Sequence, residues 1–330
     1  MKTSLLLIAL LSVSCVLALF WISNVGKRNG GGFIRVFETS PGYIGRHDLT
    51  SIGYQFAGCE DSVLVFWNSF SATGFLYDIH RHKVLQDFKF DDSYNYTGRS
   101  ALPYFFTHHP RGRQVNRHTL AYSTQPLAFQ DTTRHLDILP LNSTTLVTRT
   151  FSRLGDVLVL ALWKPDTVIR KPGILEKQLD GFMCTDGMLS YNPTLKRVIY
   201  TYYYRNQFVV LDTALRLMYR HHTLDTIHTA RIRVSHSRQY VSLASPQAVV
   251  NRFAETYGDR LFIVSAIRAD NQMQHTFENG LTLDIYGLQD GSYLFSQFIP
   301  LLSTDPVMGI SICASKLIVL YRDHFLLYQL

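Results

Sequence analysis

Val63-Leu64-Val65-Phe66-Trp67, a turn over 68–73, Gly74-Phe75-Leu76-Tyr77-Asp78-Ile79, the polar turn His80-Arg81-His82 and the run Lys83-Val84-Leu85-Gln86-Asp87-Phe88-Lys89-Phe90 form the most legible unit of the chain. The unit reads strand, turn, strand, tight turn, strand. Its last run alternates apolar and polar residues in its second half, which places one face inward and one in water. The pattern recurs. Val198-Ile199-Tyr200-Thr201-Tyr202-Tyr203-Tyr204 meets Arg205-Asn206, then Gln207-Phe208-Val209-Val210-Leu211-Asp212, a turn at Thr213-Ala214 and Leu215 to Arg220. Leu281 to Tyr286 turns at Gln289-Asp290-Gly291 into Tyr293 to Phe298, and Lys316 to Tyr321 turns at Arg322-Asp323 into Phe325 to Leu330.

Strand pairs joined by short polar turns, repeating every ~40–50 residues, predict the blades of a β-propeller. Roughly 300 residues at about 45 per blade give six blades, with seven possible. Residues 102–163 fit the unit poorly; their clearest strand is the apolar run Val157-Leu158-Val159-Leu160-Ala161-Leu162. Ser245 to Thr256 could form a turn or two of helix, although Pro246 and Asn251 oppose it. Phe33 to Glu38 reads as an early strand and Leu330 ends a late one, so the first strand could pair with the last blade and remove an open sheet edge. Stacked sandwiches would show a similar pattern, because alternation does not encode ring closure.

Composition agrees with an all-β fold. Of 330 residues, 46% are hydrophobic and 17% charged, with 19 Tyr and 21 Phe. Aromatic side chains fit a pleated, half-buried surface. The net charge is +7, and Lys2, Lys27 and Arg28, which flank the N-terminal apolar run, supply three of those charges. Arg111-Gly112-Arg113 with Arg117 is the densest basic stretch, and no Lys/Arg block of the nucleic-acid-binding kind occurs.

Leu5 to Ile22 is an 18-residue run interrupted only by Ser12, Ser14 and Cys15. As a helix it would extend about 27 Å, close to the ~30 Å hydrocarbon core of a bilayer. We expect residues 1–25 to be an uncleaved single-pass anchor with a short cytoplasmic tail. Residues 26–32, rich in glycine, would be a flexible tether, and residues 33–330 the propeller. A cleaved signal or a lipoprotein acylated at Cys15 are the competing readings; the apolar stretch from Val16 to Ile22 argues against both. The other cysteines, Cys59, Cys184 and Cys313, lie far apart in strand-like contexts. They read as buried free thiols, with one disulfide possible in an oxidising compartment.

Leu179-Asp180-Gly181-Phe182-Met183-Cys184-Thr185-Asp186-Gly187-Met188-Leu189-Ser190-Tyr191, continued by Val198 to Phe208, resembles a block found in a group of N-terminally anchored bacterial proteins. Their exported part is similar to six-bladed, TolB-like propellers. The endings Tyr293 to Pro300 and Leu317 to Tyr321 are similar to theirs, and the likeness covers most of residues 175–330. It implies an exported propeller and carries no reaction.

The chain has no G-x-S-x-G, P-loop, H-E-x-x-H or EF-hand motif. It also lacks the D-x-D motif and βαβ alternation of a membrane-bound glycosyltransferase. His80 and His82 read as turn residues, and the pairs His108-His109 and His221-His222 would point to opposite faces of a strand. No catalytic residue, metal site or cofactor is predicted. The most suggestive polar cluster is Asp180, Asp186, Arg205 and Asn206 beside Tyr202 to Tyr204. It reads either as turn and sheet-face residues or as a polar lip at one mouth of the propeller, where such folds carry sites. The expected protein is therefore a binding module of the cell envelope, anchored in the inner membrane with its domain in the periplasm. Its partner would be an unidentified protein or small molecule, and no nucleic acid. The alternative is a periplasmic hydrolase or lyase acting on a sugar or ester, with carboxylates at the channel mouth.

Overall fold

The structure is a computed structural model that describes residues 11–19, 31–91, 93–109, 115–120, 124–127, 134–154, 157–165, 167–236, 241–243 and 248–330. Six four-stranded antiparallel sheets form the blades of a propeller. Their innermost strands are Tyr54–Glu60, Thr97–Ala101, His135–Pro140, Gly187–Asn192, Asn251–Tyr257 and Gly309–Cys313, which open blades 1 to 6 in that order. These strands neighbour one another in a closed ring, the last beside the first.

The legible apolar runs of the sequence are middle strands: Val63–Asn68, Arg197–Tyr202 and Lys316–Leu320 are second strands of their blades, and Leu158–Lys164 is the third strand of blade 3. A blade's middle strand is covered on both faces by neighbouring blades. It is therefore apolar almost throughout, like any strand buried on two sides. The six main apolar clusters lie between successive blades. Outermost strands face solvent on one side; in Lys83–Lys89 only Phe88 is buried.

Ring closure differs from the sequence expectation in one respect. The strand that completes blade 6 is Gly42–Asp48, paired antiparallel with His324–Gln329. Phe33 to Glu38 instead forms a strap across blade 5, with a single parallel bridge between Phe37 and Ser296. The strap is held by a charge pair in the interior. Arg35 donates to both carboxylate oxygens of Asp284 (2.7 and 2.9 Å) and to the Ile267 carbonyl (3.0 Å). A paired, bidentate guanidinium is the form in which a buried arginine is tolerated. Asn271 fixes the strap further by accepting from the Arg35 backbone N–H and donating to its carbonyl.

Two more expectations are corrected. Cys59 and Cys313 form a disulfide, Cα to Cα 5.8 Å, while Cys184 is a buried free thiol. The two bridged residues sit near the ends of the first and last innermost strands, which only the ring brings together. Asn251–Tyr257, in the stretch 245–256 that could have formed a turn or two of helix, is the innermost strand of blade 5. There the demand of the ring overrides a local helical tendency.

Among the described residues no helix is long and apolar enough to cross a membrane. Residues 11–19 are helical and exposed; the rest of the expected anchor, and residues 26–30 of the expected tether, lie outside the described residues. Gly31 and Gly32 are not loose. Gly31 N–H donates to the Arg268 carbonyl (2.7 Å), its carbonyl accepts from Thr226 Oγ1 (2.7 Å), and Gly32 N–H donates to Asp270 (3.2 Å).

Candidate functional site

Each innermost strand starts on one face of the ring. The turns between second and third strands and the connections between blades lie on that same face. At blades 4, 5 and 6 these segments enclose a cleft of about 580 Å³. Asp186, Tyr203, Tyr204, Arg252, Phe253 and Asp305 line it, together with aliphatic residues such as Leu281 and Val307.

Asp186 ends the short 3₁₀ turn Met183–Thr185 and precedes the blade 4 innermost strand. Its carboxylate accepts from Arg149 of blade 3 and from the Gly187 N–H (2.9 Å). Arg149 also donates to the Gly187 carbonyl (2.9 Å). Burial disfavours the Arg149 charge, but Tyr200, Asp186 and Asp137 around it outweigh this and hold the guanidinium protonated more firmly than usual. Burial, with Asp186 nearby, pushes the Tyr203 hydroxyl up to about 12, so it stays a donor at neutral pH.

Further down the axis, three innermost strands each contribute one ionisable side chain. Arg99 of blade 2 reaches Asp137 of blade 3 at 3.5 Å. Glu255 comes from blade 5, opposite blade 2 in a ring of six. Its side chain is partly buried. Loss of solvation raises the carboxyl from 4.5 to about 7, while Arg99 across the axis pulls the other way. Arg99, Asp137 and Glu255 thus interact around the axis, and Asp186, paired with Arg149, lines the cleft. A carboxyl poised near neutrality can take or give a proton at physiological pH.

The four residues singled out in sequence occupy different surroundings. Asp186 lines the cleft. Asp180 caps the 3₁₀ turn, accepting from the N–H groups of Met183 (2.9 Å) and Cys184 (2.8 Å). Arg205 and Asn206 are both buried and hold the turn that presents Tyr203 and Tyr204. The Arg205 guanidinium lies 3.6 Å over the Tyr202 ring and donates to the Glu176 carbonyl (3.0 Å). Asn206 donates to the Asp225 carbonyl and is met by His222 Nδ1 (3.2 Å). Asn251 closes the arrangement by donating to the carbonyls of Tyr202 (2.8 Å) and Arg205 (3.1 Å). Arg205 and Asn206 are therefore positioning residues for the tyrosines of the lip.

Sequence reasoning missed Arg99, Asp137, Arg149 and Glu255. Glu255 shares Asn251–Tyr257 with Arg252, a stretch that read as a possible turn of helix; Arg99, Asp137 and Arg149 are each the one Asp, Glu, Lys or Arg of a short strand, whose place as first or second in a blade would have been the signal. Blades 2 and 3 could not be delimited in sequence, so that place was not visible.

Asp305, on the cleft, offers an oxygen within 4.8 Å of ligand atoms of Asp323 and His324. His324 Nδ1 is already bonded to Asp323 at 2.6 Å, and its ring stacks on Tyr321 at 4.7 Å. The pair is thus satisfied within the protein.

No family model matches the chain, and no curated protein sequence matches it. The fold is shared with solved structures. Streptogramin B lyase superposes with a TM-score of 0.52 at 10% identity, over 87% of this chain and 97% of that one. A member of the DUF4221 family from Bacteroides vulgatus superposes with a TM-score of 0.51 at 11% identity, over 92% and 98%. At such identities the likeness establishes a propeller of this kind and nothing about activity.

Proposed function

We propose that this protein is a membrane-tethered, exported propeller that binds a small ligand at the axial mouth. The observation that carries the reading is the cleft at blades 4, 5 and 6, lined by Tyr203 and Tyr204 and by Asp186, whose carboxylate is held by Arg149 of blade 3. A concave site that mixes apolar walls with a few convergent polar groups is the usual form of a small-molecule site. Tyr203, Tyr204 and Phe253 offer flat apolar surface, while Asp186, Arg252 and Asp305 offer hydrogen bonds at the rim. That combination suits a polar ring compound such as a sugar. Export is supported by the Cys59–Cys313 disulfide, since such bonds persist in oxidising compartments. It is supported as well by the apolar run Leu5 to Ile22.

A second reading has its own support. Glu255, with its carboxyl raised to about 7, is suited to general acid–base work on a sugar or ester that reaches down the axis.

The test is saturation-transfer NMR of the full chain in detergent with a panel of N-acetylhexosamines, hexuronic acids and short peptides. Binding should be seen for a member of the panel and be lost in Tyr204→Ala and Arg252→Ala. Transfer that survives both substitutions, or none across the panel, removes the cleft as the site. Turnover of a bound compound that stops in Glu255→Gln selects the enzymatic reading.

A further inference from the structure

The two ends of the propeller differ in chemistry. On the cleft face, the turns and inter-blade connections carry Ile52, Phe70, Leu154, Leu179, Leu302 and Met308, each more than half exposed. They come from different blades and connections, and so ring the mouth instead of forming one patch. The turns of the opposite face include Asp61-Ser62, His80-Arg81-His82, residues 142–145, 213–216 and Gly258-Asp259. No large apolar side chain in the described turns of that face is more than half exposed. Scattered exposed apolar residues are ordinary on a protein surface, and Ile34, Val36 and Tyr43 are such residues on the strap and an outer strand; among the described turns and connections, the restriction to one end of the ring is what requires an explanation.

The course of the chain supplies one. Gly31 is bonded to Arg268, in the turn between the second and third strands of blade 5, and to Thr226, in the connection from blade 4 to blade 5. Both segments belong to the cleft face. The N-terminal residues therefore join the propeller at that face, and the Arg35–Asp284 pair fixes the point of attachment. Only residues 23–30 separate it from the apolar run that ends at Ile22. Even fully extended, so short a segment spans less than about 30 Å.

From this placement we propose that the cleft face of the propeller rests on the bilayer surface, with its exposed apolar side chains in the headgroup region and the axial mouth turned towards the lipid. The proposal deepens the tethered-binding reading and rests on its anchor. Apolar side chains with polar neighbours are what an interfacial face requires, and a ring of them around the mouth would seat the protein with its axis along the membrane normal. Whatever enters the cleft would then come from the interface and not from the bulk.

The experiment uses the full chain with Cys15→Ser, reconstituted into vesicles of phosphatidylcholine and phosphatidylglycerol. A fluorophore is attached at Phe70→Cys or Met308→Cys on the cleft face, and at Lys83→Cys or Asp259→Cys on the other. All four positions are exposed, so labelling leaves the core intact. Quenching by lipids that carry a nitroxide on the headgroup should be several-fold stronger for the cleft-face labels. Equal quenching of the two sets, or stronger quenching of the opposite face, overturns the proposal. Failure of the chain to float with the vesicles overturns it too, and removes the anchor as well. Ligand binding by the detergent-solubilised chain does not enter this readout, so a membrane-facing cleft and a working cleft fail separately.

Discussion

Reduction of the Cys59–Cys313 bond should reach the propeller at the seam where its ring closes. The two cysteines are 254 residues apart in sequence. In the folded ring they join blade 1 to blade 6, the one interface whose partners come from opposite ends of the chain. The seam has two other supports: the Gly42–Asp48 strand in blade 6 and an apolar cluster that includes Phe66, Phe75 and Phe325. Phe66 stacks on Phe75 at 4.5 Å and on Phe325 at 5.0 Å. The native contacts therefore survive reduction, and the effect falls on the unfolded chain. A loop of this length loses about 5 kcal/mol of chain entropy when closed, the upper end of what one disulfide contributes. Urea unfolding of the purified protein with and without reductant measures the difference, and Cys59→Ala/Cys313→Ala repeats it without reductant. The oxidised form should show both the higher midpoint and the smaller slope, because a cross-linked unfolded chain exposes less new surface. Equal midpoints and slopes in the oxidised, reduced and double-alanine forms would refute the reasoning.

Glu255 carries a pH dependence of stated sign. Its carboxyl is raised from 4.5 to about 7 in the fold by loss of solvation, so the folded state binds the proton more tightly than the unfolded chain. The stabilisation is complete below about pH 4.5 and is lost as pH rises through about 7, a swing of about 3 kcal/mol. Unfolding free energies at pH 5 and pH 8 should show this swing in the wild type and lose most of it in Glu255→Gln; parallel profiles would reject it. Arg35→Ala leaves the Asp284 carboxylate buried without its partner, at a cost of about 3–5 kcal/mol. It should also free residues 31–38 from blade 5. Hydrogen exchange that stays slow at Val36 and Glu38 in that variant would show that the pair does not hold the strap.

Much of the architecture was visible in the residues because a propeller hides its middle strands on both faces. Runs such as Val63 to Trp67 and Val198 to Tyr202 have no solvent side, so continuous apolarity marks them. Innermost strands give a weaker signal. Thr97–Ala101 and His135–Pro140 carry Arg99 and Asp137 towards the axis, and that polar content hid blades 2 and 3. Closure by Gly42–Asp48 was misplaced by a few residues, because the preceding strap has the same extended, alternating character and differs only in what it lies against. At the lip, turn chemistry around Asp186 and the tyrosine run drew notice to a segment that lines the cleft. Arg205 and Asn206 stood out for the same reason, although the fold uses them to hold the turn from within.

By itself, the sequence determined the repeating unit, its approximate number and the apolar N-terminal run, since each of these depends on side-chain character within a short window. Only the tertiary structure decided which charges meet, which cysteines pair and which face the chain enters. Arg99 and Glu255 face each other across the axis, and Cys59 reaches Cys313, because the ring closes; proximity between residues so far apart in the chain is a property of closure and not of any local pattern.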